Sequence, residues 1–317
     1  MCLAAAIVIG AGTAQAAVFC GKSITKDTTL KANLKNCPGE GLVIDAGDIT
    51  LNLNGHKIDG ENAVASAGVR VFGHAGVTIK GGGGGRISEF ATGVSSFGAT
   101  GMKLSGVEVS DSSQGGVRLN ATSGATIKND VISEAQAYGI DLGNSDDNEV
   151  SGNAITGPDS SAIGNVGISV TGSDDNLISG NILSGGDDGA WGMLVKGSSA
   201  GTKVKANKFR GFSLDGVDVY DGAKDTHVKK NKAIRNSFDG INVGASADIG
   251  TDVINNLARR NDDDGIELDH ANVRVGDNRA LDNGDWGIIA TELIVDLGGN
   301  TASGNLQGAQ CSGISCN

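Results

Sequence analysis

The segment GVDVYDGAKDTHVKKNKAIRN, Gly216–Asn236, carries the pattern that decides the fold. A glycine precedes a short alternating apolar and polar stretch, and a polar turn follows. A second alternating segment then ends at Asn231, and a third short segment comes after it. Alternation with a period of two is typical of β-strands, which bury one side chain and expose the next. Three such strands leave no room for a helix in one repeat.

The same unit recurs along most of the chain, at intervals of 22 to 28 residues. Its leading glycines are Gly41, Gly68, Gly93, Gly116, Gly139, Gly167, Gly192, Gly216, Gly240, Gly265 and Gly287. One repeat is too small to bury a core alone, so each strand has to pair in parallel with the same strand of the next repeat. We therefore predict an all-β solenoid over residues 41–305, with about eleven rungs of three short strands.

Asparagines recur at two matching positions of the repeat. They are Asn153, Asn181, Asn207, Asn231, Asn256, Asn278 and Asn300 at one corner, and Asn236, Asn261, Asn283 and Asn305 at the next. We expect them to stack as ladders about 4.8 Å apart, with their amides bonded to turn backbone and to one another. We also expect these asparagines, and the glycines of the Asp-Gly pairs, to adopt the left-handed conformation of tight corners.

The repeats, with the opening rung CPGEGLVIDAGDITLNLNGHKIDG (Cys37–Gly60), resemble the right-handed parallel β-helix superfamily of secreted proteins. That superfamily includes pectate lyases, polygalacturonases, alginate lyases and epimerases, and NosD-type accessory proteins. The resemblance implies the fold over roughly residues 20–305, and more weakly a polysaccharide or cell-surface glycan as partner. The NTD, GHG and R-x-K motifs of polygalacturonases and the DPHD motif of mannuronan epimerases do not occur in this sequence.

Composition and the two termini suggest export. The formal net charge is -12, which argues against general nucleic-acid binding. Residues 1–16 form an apolar run that ends in an Ala-Gln-Ala cleavage pattern, although no basic residue precedes it. We predict a signal peptide there, no membrane span elsewhere, a secreted or periplasmic location and a monomer.

The four cysteines after the predicted signal peptide cluster at the two ends of the chain. The economical pairing in an oxidising compartment joins Cys20 to Cys37 and Cys311 to Cys316. We expect residues 17–40 to cap the exposed strand edges at the start of the coil. Residues 306–317 are expected to form a C-terminal tail that contains the second disulfide.

The repeat also aligns side chains that could carry chemistry. The residue before the glycine is Trp191, Asp215, Asp239, Asp264 and Trp286 on five successive rungs. Two positions after the glycine, three of these rungs carry Asp218, Asn242 and Glu267. We name the five carboxylates and Asn242 the acidic face, which the two tryptophans flank. Sugar sites often combine aromatic rings, which pack against pyranose rings, with carboxylates that bond to hydroxyl groups.

From this face we predict catalytic, substrate-binding and metal-binding residues. The catalytic candidates are Asp215, Asp218, Asp239, Asp264, Glu267 and His270, and the substrate-binding candidates are Trp191, Trp286, Asn242 and Tyr138. Carboxylates stacked about 4.8 Å apart repel one another unless solvent, a raised pKa or a cation relieves them. Calcium is the cofactor we consider, with Asp239, Asp264 and Glu267 as ligands. Acids one rung apart match a retaining glycosidase, and acids two rungs apart approach the inverting spacing.

The sequence is consistent with two functions. The first is an exported carbohydrate-active β-helix, a lyase, epimerase or hydrolase that uses the acidic face and the adjacent loop, residues 157–165. The second is a non-catalytic surface, matrix or glycan-binding β-helix, in which the aspartates are solvated turn residues and the tryptophans cover the coil. Basic residues from Lys203 to Arg279 collect on the other two faces, where they could hold an acidic polysaccharide or neutralise neighbouring acids.

Overall fold

The computed structural model describes residues 17–156, 165–185, 190–306 and 310–317. The predicted signal peptide, and residues 157–164 of the predicted loop, lie outside them.

Within the described ranges the regular structure consists of strands, and no helix there could cross a bilayer. In chain order these strands are β1 (Lys22–Ile24), β2 (Thr28–Thr29), β3 (Leu34–Cys37), β4 (Leu42–Ile44), β5 (Thr50–Asn52), β6 (Lys57–Gly60), β7 (Ala67–Phe72), β8 (Thr78–Ser88), β9 (Thr92–Phe97), β10 (Lys103–Ser110), β11 (Gly115–Asn120), β12 (Thr126–Lys128), β13 (Val131–Ile132), β14 (Tyr138–Gly143), β15 (Glu149–Ser151), β16 (Ala154–Thr156), β17 (Asn165–Thr171), β18 (Leu177–Ser179), β19 (Ile182–Ser184), β20 (Ala190–Lys196), β21 (Lys203–Lys205), β22 (Lys208–Arg210), β23 (Val217–Val219), β24 (His227–Lys229), β25 (Lys232–Ile234), β26 (Ile241–Val243), β27 (Asp252–Ile254), β28 (Leu257–Arg259), β29 (Ile266–Leu268), β30 (Arg274–Gly276), β31 (Arg279–Leu281), β32 (Ile288–Ala290), β33 (Val295–Gly298), β34 (Thr301–Ser303) and β35 (Cys311–Ser312).

The strands stack into three parallel ladders, as the repeat predicts. The first ladder has thirteen strands, in the order β1-β4-β7-β9-β11-β14-β17-β20-β23-β26-β29-β32-β35. Eleven of these follow or contain the predicted glycines, and β1 and β35 add one rung at each end. The other two ladders hold the second and third strands of each rung, which merge into single long strands at β8 and β10. The predicted all-β parallel solenoid and its rung count are therefore confirmed.

The core lies inside the coil and is built from the inward side chains of every rung. Val217, Val219, Ile241 and Val243 are fully buried, and they stack on one another in register. Burying one such side chain contributes roughly 1.5–3 kcal/mol. Because the same position faces inward in each rung, a polar residue at one such position would contact the apolar side chains of the rungs above and below it.

Both predicted asparagine ladders form. Asn231 shows the arrangement: its Nδ2 donates to the Val204 carbonyl at 2.8 Å and to Asn256 Oδ1 at 3.2 Å. Its own Oδ1 accepts the backbone N–H of Asn207 at 2.9 Å. Each buried amide therefore satisfies backbone groups of the rungs on either side, which would otherwise be unpaired at the corner.

The predicted backbone conformation of these asparagines is wrong. None of the ladder asparagines has a positive φ; the residue immediately before each one does, as at Ala206, Lys230 and Arg235. The preceding residue makes the left-handed corner, and this turns the asparagine side chain into the coil. That residue points its side chain to solvent, and Gly, Ala, Lys, Arg, Asn or Asp occupies the position in this chain, without any β-branched residue.

The positive φ predicted for the glycines that follow Asp215, Asp239 and Asp264 is also wrong, and glycine is needed there for space. Gly216, Gly240 and Gly265 lie outside the positive-φ region. A Cβ atom on Gly240 would lie 2.5 Å from the carbonyl oxygen of Gly265 and 2.6 Å from Nδ2 of Asn261. Glycine lets one rung approach the next at this corner.

Asp130 occupies the ladder position one rung before Asn153, where the pattern calls for asparagine. Its Oδ1 accepts the N–H of Val107 at 2.8 Å, and its own N–H donates to Asn153 Oδ1. Its Oδ2 is buried without a partner, at the position where Asn153 has a donating Nδ2. Burial raises the pKa of Asp130 to about 7. A protonated Asp130 can therefore act as a donor, as asparagine does.

The two predicted disulfides are present, Cys20–Cys37 and Cys311–Cys316, with Cα–Cα distances of 5.3 and 6.2 Å. The first lies within residues 17–40, whose strands β1–β3 form a first rung against β4–β6. The second joins β35, the last strand of the first ladder, to the C-terminal tail. Each bridge therefore lies at one end of the stack, where a rung has a neighbour on one side only.

Gly240→Ala should destabilise the protein by about 1–3 kcal/mol or more, because the added methyl group meets backbone that cannot rotate away. Gly39→Ala is the matched control, since a Cβ there meets nothing within 4 Å, and its unfolding midpoint should stay within about 0.5 kcal/mol of the parent. Urea unfolding measures both. Equal midpoints for the two variants would contradict the close-approach explanation.

Asp130→Asn should make the protein more stable at pH 8 and leave it nearly unchanged at pH 4. The pKa of this carboxyl is about 7 in the folded chain and about 3.9 when unfolded, so its favourable contribution is complete below pH 4 and is lost as pH rises to 7. We expect about 1–3 kcal/mol at pH 8 from replacing the unpartnered oxygen with a donor. Thermal melts at the two pH values test this, with exposed Asp146→Asn as the control. A gain of the same size at both pH values would refute it.

Candidate functional site

The column predicted from the residue before each glycine forms in the structure. The N–H groups of Gly192, Gly216 and Gly240 donate to the carbonyl oxygens of Asp215, Asp239 and Asp264, at 2.9, 2.9 and 3.0 Å. Gly265 donates in the same way to the Trp286 carbonyl at 2.9 Å. Trp191 directly precedes Gly192, so the backbone stacks both tryptophans and the three aspartates on five successive rungs.

The three aspartates also bond to one another's backbone through their side chains. Asp215 Oδ1 accepts the N–H of Asp239 at 2.9 Å, and Asp239 Oδ1 accepts that of Asp264 at 2.8 Å. Asp264 Oδ1 accepts the N–H of Trp286 at 2.7 Å. The three side chains are only 5 to 8% exposed. They are buried turn acceptors, and the interpretation of them as solvated turn residues is wrong on this point.

Burial raises the pKa values of the carboxyl groups on this face. The pKa of Asp215 is raised to about 6, that of Asp218 to about 7 and that of Asp264 to about 7. Burial is the main cause in each case, and repulsion from the nearby carboxylate of Glu267 adds to it. The raised pKa values, one of the three expectations from the sequence, reduce the negative charge that the stacked acids carry at neutral pH.

Asp239 and Glu267 form a hydrogen-bonded carboxyl pair. Burial, the charge of Asp215 and the bond to Glu267 all raise the pKa of Asp239. Burial also raises the pKa of Glu267, while the bond to Asp239 opposes that rise. Because the bond raises the pKa of Asp239 and opposes the rise at Glu267, Asp239 is the partner that carries the proton and donates it to the Glu267 carboxylate.

The second predicted column stands beside the first. Asp218, Asn242 and Glu267 are paired in register on β23, β26 and β29. The Oδ1 atoms of Asp218 and Asn242 are buried and have no hydrogen-bond partner. Asp218 as a whole is 8% exposed. Unpartnered buried oxygens of this kind are costly, which suggests that a ligand donor completes them.

Of the three aromatic candidates, the two tryptophans lie next to the aspartates and Tyr138 lies farther away. The Trp191 side chain hydrogen-bonds to Asp215, so its indole N–H is tied to the acidic face, and it is half-buried. Trp286 is half-buried at the other end of the same column. Tyr138 lies in that column too, but Val166 and Trp191 come between it and the acids. Its hydroxyl is buried without a partner, and burial raises its pKa.

His270 follows β29 into the turn, where its Nδ1 donates to the carbonyl oxygen of Ala271 at 2.7 Å. The structure therefore ties this ring to its own turn. The groups of acidic side chains close enough to share a cation do not include it among the described residues. Its predicted catalytic role stays a prediction without a contact to support it.

Two acidic residues that the sequence analysis missed join the site. Asp263 and Asp285 approach Asp264 closely enough for all three to share a ligand, with oxygens within 4.8 Å of one another. Asp285 Oδ1 is buried without a partner. The signal was present in the sequence, because each of these residues directly precedes a residue of the predicted column, one rung apart.

The predicted metal ligands also come together. One carboxylate oxygen each from Asp239, Asp264 and Glu267 lies within 4.8 Å of the others. Calcium prefers six to eight oxygen ligands at 2.3–2.6 Å, so three carboxylates, with the free Asn242 oxygen nearby, fit part of such a set. The donors are all hard oxygens, which suits calcium better than zinc. The same oxygens serve either a shared proton or a shared cation.

Comparison with known families agrees with this architecture. A family model for the right handed beta helix region matches residues 92–257 and 191–316. The chain belongs to the right-handed β-helix family. No curated protein matches this β-helix chain.

Solved structures similar to this β-helix protein include three from carbohydrate biology. The catalytic unit of a thermostable GH87 alpha-1,3-glucanase from Streptomyces thermodiastaticus matches with a TM-score of 0.67 and 14% identity, over 94% of this chain and 64% of that one. The A-module of a mannuronan C-5 epimerase from Azotobacter vinelandii matches at 0.63 and 17%, over 94% and 89%. A mutant tailspike protein of E. coli bacteriophage HK620 in complex with pentasaccharide matches at 0.60 and 13%, over 89% and 57%. At these identities the likeness establishes the fold alone.

Proposed function

We propose that this β-helix protein is exported, binds a polysaccharide along the acidic face and hydrolyses its glycosidic bonds by carboxylate acid–base chemistry. The observation that carries the proposal is the proton-sharing pair of Asp239 and Glu267, which lies in a column between Trp191 and Trp286. A carboxyl group that keeps its proton at neutral pH is what a glycosidase needs as its general acid.

Glu267 is the proton donor in this proposal. It is half-buried, whereas Asp239 is 5% exposed, so Glu267 is the member of the pair that a substrate can reach. The proton would first move from Asp239 to Glu267, whose O–H group would then give it to the leaving glycosidic oxygen as the C–O bond breaks. Both carboxyl groups of the pair are then ionised, and the pair takes up a proton from solvent before the next turnover.

Asp218 is the matching base. It lies two rungs from Glu267 in the same column, so the backbone spacing is about 9.6 Å, close to the upper end of the inverting carboxyl separation. Above its pKa of about 7, the Asp218 carboxylate would take a proton from a water between the two acids, and that water would add to the anomeric carbon. Asn242 lies between the two acids and could hold a sugar hydroxyl.

The charge of the site favours a neutral glycan. Five carboxyl groups lie on this face, and they would repel a uronate unless a cation intervened. Trp191 and Trp286 are four rungs apart, about 19 Å, and an extended oligosaccharide could span that distance with an aromatic ring near either end. Support of a general kind comes from the alpha-1,3-glucanase, which has the same type of fold.

Replacing Glu267 by Gln or Asp218 by Asn should lower the rate of glycan hydrolysis by about 10²–10⁴-fold, since each change removes the acid or the base. The measurement is the release of reducing ends from a panel of neutral glucans, with polygalacturonate and alginate as charged comparisons. Asp239→Asn should also lower the rate while it keeps the Oδ1 that accepts the Asp264 N–H.

The control is Asp174→Asn, which changes an exposed turn carboxylate whose Oδ1 likewise accepts a backbone N–H, that of Ala200. It should leave activity unchanged. No reducing ends from any glycan, with intact folding of the parent chain by circular dichroism, would reject hydrolysis. Glycan binding that survives in the absence of turnover would favour the non-catalytic glycan-binding function.

A second candidate function rests on the carboxylate groups that are within 4.8 Å of one another. In it Asp239, Asp264 and Glu267 hold calcium, and the bound cation replaces the shared proton and accepts the carboxylate of an acidic sugar. Calcium at about one hundred times its Kd should stabilise the fold by about 2.7 kcal/mol at pH 7.

Asp264→Asn should abolish that stabilisation, because Asp264 belongs to both three-carboxylate groups. Thermal melts with calcium, with magnesium and with a chelator measure the effect, and Asp174→Asn again serves as the control. A melting temperature that is the same in all three solutions would rule out the calcium site.

A further inference from the structure

A basic groove lies on the second ladder, away from the acidic face. Its wall is formed by side chains of three successive rungs, around an open cavity of about 530 Å³, and these are Leu177, Lys203, Lys205, His227, Lys229 and Lys230. The strands involved are β18, β21 and β24, which pair in parallel. The acidic face belongs to the first ladder, so the two surfaces use different strands of the same rungs.

Like charges are stacked directly on one another in this region. Lys205 pairs in register with Lys229 on the next rung, and Lys208 pairs with Lys232. Like charges opposite one another destabilise a sheet. Among the described residues, Lys203, Lys205 and Lys230 have no carboxylate within ion-pair distance, because the nearby acid is already engaged elsewhere. The fold alone gives no reason to collect these cations here.

The nearby acid is Asp252, whose side chain is fully buried. Its Oδ2 accepts from His227 Nδ1 at 2.8 Å and from Lys229 Nζ at 2.7 Å, and its Oδ1 accepts from Arg274. These bonds hold the pKa of Asp252 below its usual value, although burial opposes them. Asp252 therefore holds the His227 imidazole and the Lys229 ammonium group at the groove. It does not balance the positive charges of the other lysines there.

The geometry points to a binding site for an anionic glycan, one that carries carboxylate or sulfate groups. Lys203, Lys205 and Lys230 would contact the anionic groups, whose charge balances that of these three unpaired lysines. The bond to Asp252 holds the imidazole by Nδ1, so Nε2 is left to form a hydrogen bond with a sugar hydroxyl. An apolar side chain, Leu177, completes the wall and suits the face of a sugar ring.

Nucleic acid fits this groove less well. Among the described residues that line the groove there is no Phe, Tyr or Trp, and single-stranded nucleic acids are held largely by stacking on such side chains. A glycan needs only cations and hydrogen-bond partners repeated along one direction, and the rungs provide these about every 4.8 Å. This site does not depend on the chemistry proposed for the acidic face.

The test uses the triple variant Lys203→Gln, Lys205→Gln and Lys230→Gln of the full chain. Heparin serves as the sulfated probe, polygalacturonate as the carboxylated probe and dextran as the neutral one, with titration calorimetry at low salt. We expect the parent to bind one or both anionic probes and not dextran, and the variant to bind at least about tenfold more weakly. Added salt should weaken the binding of the parent more than that of the variant.

The matched control is Lys80→Gln, Lys103→Gln and Lys128→Gln, which removes the same charge from the same columns of the second ladder on earlier rungs. It should bind like the parent. Equal losses in the two triple variants would mean that only overall charge matters, and this would overturn the site. So would failure of the parent to bind either anionic probe, or tighter groove-dependent binding of single-stranded DNA than of both glycans.

Discussion

Parallel hydrogen bonding between successive rungs sets a spacing of about 4.8 Å along the coil, and every other feature follows from it. At that distance a residue meets the same position of the next repeat before it meets anything else. Apolar residues such as Val217 and Ile241 pack on one another and exclude water. An asparagine such as Asn231 forms hydrogen bonds with the equivalent asparagines of the two neighbouring rungs. Charged residues gain neighbours of their own sign, which is unfavourable unless a proton or a ligand intervenes.

The acidic face shows how structure and chemistry share the same atoms. The Oδ1 of Asp239 holds the backbone of the next rung, and this bond keeps the side chain buried. Burial in turn keeps a proton in the pair with Glu267. A variant that removes the whole side chain would confuse the two roles, whereas an asparagine separates them, because it keeps the acceptor and removes the acid.

The two charged surfaces have opposite signs and lie on different sides of the coil. The acidic face lies on the first ladder, and the basic groove around Lys203 and Lys205 lies on the second. Raised pKa values reduce the mutual repulsion of the acids. Lysines keep their charge at neutral pH unless they are deeply buried. The lysines of the basic groove that have no carboxylate partner stay exposed and charged, which is why an external anion is the ligand proposed there.

The solenoid, its rung count and the partners within each column could be predicted from the repeat, because stacking in register converts spacing along the chain directly into contact in space. The same repeat predicted that Asp215, Asp239 and Asp264 would stack between two tryptophans, and the cysteine positions predicted the two disulfides. The use of these residues became clear from the three-dimensional arrangement. It placed the left-handed corner one residue before each asparagine, and it showed that the repeat glycines provide space for the next rung. It also buried the aspartates and brought Asp285 into the site. Burial, side-chain direction and proton sharing depend on what surrounds a residue in three dimensions, and a one-dimensional repeat does not contain that information.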